Sequence, residues 1–324
     1  MGRACLSALI AGVAMLSGAF AARGEELIRQ PIKILYGFAP GSGGDLLSRM
    51  VAERLAAATG QNVVVENRTG ASGKIALKAL MASPPDGTTI FIGPNGPMTI
   101  IPIYDGNAGY DPKSDFAPLT QLVTYEFALA TPTALPVKSV RDLVAYVKAN
   151  PGKGAYGTPG AGSSLHFLGL KLGSTAGVDL RAVNYRGSVP AITDAMAGQV
   201  SMVFLPLVDT IEQHRAGAVR ILATSAAERS SFVPEAPTFV EQGYDIAVTG
   251  WYGAFAPAKT PRPIVDELNR IMVEAVRSPE LSARLNAMGF HPAGTTPEGL
   301  ADIRDKEIEF WRPIVAASGF KSEE

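Results

Sequence analysis

Short runs rich in β-branched residues alternate along this chain with stretches of helical period, and that alternation constrains the fold more than any other feature. Residues 32–38 read as a strand and 39–44 as a Gly-rich loop. Leu46, Leu47, Met50, Val51 and Leu55 then recur at helical spacing until Thr59-Gly60 stops the helix. Residues 62–66 read as a second strand around Val63-Val64-Val65, 74–82 as a helix, 83–87 as a turn and 88–93 as a third strand. Strands alternating with helices imply parallel βαβ units.

The pattern then restarts. Residues 140–148 read as a helix, 155–157 as a strand, 158–164 as a Gly/Ser loop leading into a helix from Leu165, 181–185 as a strand, 189–197 as a helix, and 199–204 and 218–225 as strands. After 251–256 the chain is mostly helical, over 263–276, 279–288 and 297–318. Two α/β blocks with a helical tail fit 324 residues, a length suited to two domains. Connections near 122–129 and 219–225 insert the second block into the first, and a chain passing twice between lobes makes a hinge. The expected lobes are 25–124 plus 226–324, and 125–225.

Net charge is −1, so no basic field attracts nucleic acid or an anionic membrane. At the start, Arg3, an apolar run over 6–16, Ser17-Gly18 and the small-x-small Ala19-Phe20-Ala21 read as a secretory signal over 1–21. The alternative is a membrane anchor, but a span needs about 20 apolar residues. The only cysteine, Cys5, lies inside that signal, and no cysteine follows the apolar run for lipid attachment. The expectation is a mature chain exported to an oxidising compartment, with no disulfide, no cysteine-bound metal and no membrane insertion.

Pro40-Gly41-Ser42-Gly43-Gly44-Asp45 follows a strand and opens a helix. Amide N–H groups at a helix start have no partners within the helix, and with the dipole they favour an anion. Asp45 has the chemistry of a helix cap. The same loop also reads as an ordinary βα turn. It is not a dinucleotide fingerprint, because Leu46 stands where the third glycine is needed. Thr158-Pro159-Gly160-Ala161-Gly162-Ser163-Ser164 repeats the device in the second block, where Ser163 or Ser164 caps the helix or meets a ligand. Strand ends facing one crevice form a binding site. Opposed helix starts suit one or two carboxylates. Asn95, in Gly93-Pro94-Asn95-Gly96-Pro97, is placed to reach the same crevice or merely to make a turn.

Other chemistries fail. Gly70-Ala71-Ser72-Gly73-Lys74 resembles a P-loop, but Arg68 and Ile75 occupy required positions. No Gly-x-Ser-x-Gly elbow occurs. His166, His214 and His291 lack metal-ligand spacing. His166 either lines the crevice or is structural. Trp251 and Trp311 read as packing residues.

A series of segments, in order, resembles the receptors of the tripartite tricarboxylate transporters, the Bordetella uptake gene family. They are Pro31-Ile32-Lys33-Ile34, Phe38-Ala39-Pro40-Gly41-Ser42-Gly43-Gly44-Asp45, Val63-Val64-Val65-Glu66-Asn67-Arg68, Pro85-Asp86-Gly87-Thr88-Thr89 and Tyr110-Asp111-Pro112-Lys113-Ser114-Asp115-Phe116. There follow Tyr156-Gly157-Thr158, Gly162-Ser163-Ser164-Leu165-His166, Asn184-Tyr185-Arg186-Gly187, Ala236-Pro237-Thr238, Glu241-Gln242-Gly243, Trp251-Tyr252-Gly253 and Ala256-Pro257. The resemblance covers nearly the whole mature chain.

It implies a type II periplasmic binding fold, α/β in both lobes, whose hinge closes on a small carboxylate. The ligand-binding set it implies is Phe38, Ala39, Pro40, Gly41, Ser42, Gly43, Asp45, Pro94, Asn95, Thr158, Gly162, Ser163, Ser164, His166, Tyr185 and Leu205. The implied partners are the membrane subunits of a tripartite transporter, with no cofactor, no metal, no nucleic acid and a monomeric state. Two departures stand out. Ala39 and Ser42 interrupt the first loop, which in the family carries more proline and glycine. Leu205-Pro206-Leu207 stands where many members place an aspartate towards the ligand, which argues against an amino acid and for an unaminated or aromatic carboxylate. A ligand sensor serving a signalling system shares this chemistry. A secreted hydrolase would need Ser163 or Ser164 with His166 as nucleophile and base.

Overall fold

The computed structural model describes residues 28–321. The expected signal, 1–21, and the expected start of the first lobe at Glu25 lie outside the described residues. In chain order, β1 (Ile32–Tyr36), α1 (Gly43–Thr59), β2 (Val63–Asn67), α2 (Lys74–Met81) and β3 (Thr89–Pro94) make the first block. β1 lies between β2 and β3 and parallel to both, Ile34 pairing with Val65 and Ile90. Parallel neighbours need crossovers, which α1 and α2 provide. α1 begins at the N-cap Ser42 and ends at Gly60, whose left-handed φ of 67° suits glycine.

Two short helices, α3 (Gly96–Thr99) and α4 (Ile101–Tyr104), lead to β4 (Phe116–Pro132). The second block is α5 (Val140–Ala149), β5 (Ala155–Thr158), α6 (Ser164–Ala176), β6 (Arg181–Asn184), α7 (Ser188–Met196), β7 (Met202–Pro206), α8 (Ile211–Arg215) and β8 (Val219–Thr224). The chain closes with β9 (Thr249–Pro257), α9 (Arg262–Arg277), α10 (Pro279–Met288), β10 (His291–Pro292) and α11 (Pro297–Ser318).

β4 belongs to both sheets. From Phe116 to Glu126 it runs antiparallel to β9, which pairs β3 on its other edge. From Phe127 to Pro132 it lies between β7 and β8, and β5 and β6 extend that second sheet beyond β7. The sequence reading treats 122–129 only as a connection, yet it is part of one 17-residue strand. Most of that strand is buried, so it lacks the apolar–polar alternation of a half-buried strand. Pro118, Thr120 and Glu126 also interrupt its apolar run.

The second passage centres on Ser225. Its N–H donates to Phe127 O at 2.9 Å, and its hydroxyl donates to Val248 O at 2.6 Å while accepting from Phe127 N–H at 2.9 Å. Between those points, residues 226–248 return along β8. Thr224 bridges Thr238, Phe239 N–H donates to Thr224 O at 3.0 Å, and Gln242 Nε2 donates to Leu222 O at 2.9 Å.

Candidate functional site

The C-terminal ends of β1 and β3 face those of β5 and β7 across a cleft. The first block supplies Tyr36, Phe38, Ser42, Ser72, Pro94, Asn95, Gly96, Pro97 and Ile101, and β9 adds Tyr252. The second block supplies Pro159, Gly162, Ser163, Ser164, Leu165, Gly187, Ser188 and Pro206, and β4 adds Tyr125 and Phe127. Among the described residues, no Lys, Arg, His, Asp or Glu lines it.

The two sides touch. Ala39 N–H donates to Arg186 O at 3.2 Å, Gly43 N–H to Asp209 Oδ1 at 2.6 Å, Ser72 Oγ to Ala161 O at 2.7 Å and Asn95 Nδ2 to Ser164 Oγ at 3.1 Å. The cleft is closed.

Of the residues picked out by sequence, Phe38, Ser42, Pro94, Asn95, Gly162, Ser163 and Ser164 line the cleft. Ala39, Gly43 and Asp45 do not line it, Ala39 and Gly43 instead bonding across to the second block, while Pro40 and Gly41 are exposed. Asp45 organises the loop: its carboxylate accepts from Gly41 N–H, from Asn67 Nδ2 and, through both oxygens, from Arg49. Burial pushes its pKa up, but those donors outweigh it and hold the carboxyl below the usual range. Ser42, not Asp45, is the N-cap of α1, and its Oγ lies 2.9 Å from the Tyr36 hydroxyl.

In the second loop Ser163 caps α6 by accepting from His166 N–H at 3.2 Å, and it also meets Thr158 Oγ1 at 3.2 Å. The His166 ring turns back and accepts from Gly162 N–H at Nδ1, 3.1 Å away. Burial lowers its pKa to about 4, so the ring is neutral at pH 7. Thr158 and His166 therefore shape the loop from behind. Tyr185 donates to Asp194 at 2.8 Å, and Leu205 is wholly buried in β7; neither lines the cleft. Asp209, four residues past Leu205, presents Oδ1 to Gly43 and leaves Oδ2 without a partner among the described residues.

Sequence reasoning missed the tyrosines. Tyr36, Tyr125 and Tyr252 are almost fully buried, the Tyr125 and Tyr252 rings being 5.1 Å apart. Burial raises all three phenol pKa values, keeping them neutral hydrogen-bond donors. Tyr36 was within reach of sequence reasoning, since it ends a strand that leads into the first loop. The amides of Ser164 and Leu165 begin α6 and have no carbonyl four residues back within the helix. The lining is uncharged and mostly apolar, and the polar groups set among its aromatic rings and prolines are phenols, hydroxyls and the start of α6.

Behind Asn95 lies a second group missed in the sequence. Glu307 of α11 accepts from Asn95 Nδ2, from Trp251 Nε1 and, at 2.9 Å, from Trp311 Nε1. Burial pushes the Glu307 carboxyl up to about 7, against the pull of those three donors.

Two α/β lobes closed over an uncharged cleft define a solute-binding protein of the type II periplasmic fold. The model of the tripartite tricarboxylate transporter family receptor matches residues 47–320, and the chain belongs to that family. Protein BugT of Bordetella pertussis is 30% identical over 294 residues, 90% of each chain. A Rhodopseudomonas palustris protein solved with adipate is 30% identical with a TM-score of 0.86, over 90% of this chain and 97% of that one. MatC of the same organism, solved with bound malate, is 28% identical with a TM-score of 0.84, over 88% of this chain and 99% of that one. The periplasmic binding protein BugD superposes with a TM-score of 0.86 at 28% identity, over 91% of this chain and all of that one.

Proposed function

We propose that this chain is exported to the periplasm, where it captures a small carboxylate between its lobes and delivers it to the membrane subunits of a tripartite transporter. The observation that carries the reading is the chemistry of the cleft: hydroxyls, phenols and helix-start amides converge there with no charged side chain among the described residues. Such donors hold an anion without a counter-ion, each charge-assisted bond contributing about 1.5–3 kcal/mol. Adipate in one relative and malate in another agree with that class.

The ligand-contacting set in this proposal is Phe38, Ser42, Pro94, Asn95, Gly162, Ser163 and Ser164, joined by Tyr36, Tyr125, Ser188 and Tyr252. Ala39, Gly41, Gly43, Asp45, Thr158, His166 and Tyr185 support the two loops and the closed form. The hinge lies where Glu126 meets Phe127 and Val248 meets Thr249, clamped by Ser225. Residues 226–248 move with the second lobe, since their bonds run to β8. Ligand binding shifts an open–closed equilibrium, and the closed monomer is the form that docks.

A hydrolytic reading finds no support in the loop. The His166 ring nitrogen Nδ1 serves Gly162, and the Ser163 hydroxyl serves the His166 backbone. Thermal unfolding of the mature chain against a panel of mono-, di- and aromatic carboxylates tests the proposal. A ligand at 100 times its Kd adds about 2.7 kcal/mol of stability. A saturable shift without product formation supports a receptor. Turnover of any panel member, or no shift in protein refolded free of carried-over ligand, overturns it. Capture of a signalling partner instead of transporter subunits would move the chain to sensing.

A further inference from the structure

Asn95 stands between the lobes with its amide nitrogen doubly engaged, towards Glu307 behind it and Ser164 across the cleft. A carboxylate accepts hydrogen bonds and has none to give, so the nitrogen, not the oxygen, must turn to Glu307. Trp251 and Trp311 present indole N–H groups, which only donate, to the same carboxylate. With three donors on it, ionised Glu307 fixes the amide in one of its two orientations. The polar atom left to the Asn95 side chain is Oδ1, which accepts from no described residue although Asn95 is 2% exposed. It is a free acceptor in a cleft whose lining is mostly apolar.

We propose that Asn95 Oδ1 selects a hydroxyl on the captured carboxylate, so that the preferred ligand is a hydroxy acid, with Glu307 and Trp251 as positioning residues that hold the amide. The inference rests on the carboxylate reading above and deepens it. Closure excludes water, and a ligand with no hydroxyl then leaves a buried carbonyl unpaired. A site built to bond a hydroxyl rejects the analogue lacking it far more strongly than an apolar pocket separates two alkyl groups. An ammonium fits less well than a hydroxyl. No carboxylate among the described residues lines the cleft to neutralise it.

The test is calorimetric titration at pH 8, where Glu307 is ionised, on ligand-free protein with matched pairs: malate against succinate, and 2-hydroxyadipate against adipate. The readout is the ratio of dissociation constants within a pair. The wild type is expected to favour a hydroxylated member by about tenfold or more, one good hydrogen bond's worth of discrimination. In Asn95→Ala that ratio falls towards one. In Glu307→Gln it falls as well, because the glutamine amide can donate to Oδ1 and release the orientation. Trp251→Phe, which keeps a ring but removes one donor from Glu307, gives an intermediate ratio and serves if Glu307→Gln does not fold. A purely structural role would weaken both members of a pair alike and leave the ratio in place, which overturns the proposal. So does a wild type that binds both members equally, and that result leaves the carboxylate reading standing. Failure of every acid to bind overturns both.

Discussion

Replacing Gly43 by alanine should hold the cleft open while strengthening the helix it begins. Gly43 is the first residue of α1 and does not need glycine for its backbone. A Cβ there meets Val208 Cγ1 at 2.8 Å and Asp209 Oδ1 at 3.1 Å, both across the cleft. Overpacking of that kind costs about 1–3 kcal/mol, and loosening the Gly43–Asp209 bond, a donor on a buried carboxylate, costs about 1.5–3 kcal/mol more. Only the closed form makes these contacts. A net penalty of at least about 2 kcal/mol on closure weakens ligand binding by about 30-fold. Alanine in place of glycine meanwhile favours α1 by up to about 1 kcal/mol. Gly43→Ala should therefore melt no lower than wild type without ligand, yet lose most of its ligand-induced stabilisation. Small-angle scattering should find the variant more extended when the wild type is closed. Melting curves read the first effect and titration with malate or adipate the second. Wild-type affinity in a folded Gly43→Ala protein would refute the reasoning, since it would mean that the Gly43–Asp209 approach does not report ligand-driven closure.

Three further perturbations follow from buried polar groups. Burial pushes the Glu307 carboxyl from its ordinary 4.5 up to about 7, so its contribution is present below about pH 4.5 and is lost as pH rises through 7. Relative to Glu307→Gln, wild-type stability should decline by about 3 kcal/mol between pH 4 and pH 8, and parallel urea-unfolding profiles would contradict this. His166 runs the opposite way: its pKa falls from 6.5 to about 4, so stability present above 6.5 is lost as pH falls towards 4. A His166→Asn protein should lack that loss, about 3 kcal/mol, measured by denaturant titration across pH 4 to 7. Ser225→Ala strips partners from Phe127 N–H and Val248 O at the lobe crossing, and should lower unfolding free energy by about 1–3 kcal/mol in a urea melt; no change would mean that water replaces the hydroxyl.

Much of the fold was legible because its elements follow single-sequence rules. α11 runs over 297–318 and α10 over 279–288, where helical spacing and a proline at each start place them. β4 was not legible, because burial on both faces removes the period that marks a strand. The cleft was half legible. Glycine and serine between strand and helix mark Ser42, Ser163 and Ser164, since that chemistry is local. Tyr125 and Tyr252 carry no such mark, for a tyrosine in a strand reads as core unless the sheet's neighbours are known. Glu307 is harder still. It sits 212 residues from Asn95 on the surface pattern of an amphipathic helix, and only the packing of α11 against β4 and α3 turns it inward. Asp45 shows the reverse error. Its position suggested a ligand contact or a cap, while Arg49 and Asn67, one helical turn and one strand away, had the stronger claim.

The place of β9 sets an order of assembly. The second sheet draws on β4 to β8, a continuous stretch that can pair as soon as it is made. The first sheet cannot be finished that way, because β9 fills the gap between β3 and β4 and arrives only after the whole second lobe. Phe91 must wait for Phe255, and Phe116 for Pro257. Pairings that close so long an intervening chain form late, and they slow the final step. The first lobe therefore stays an unfinished sheet with an open slot until residue 257 has followed.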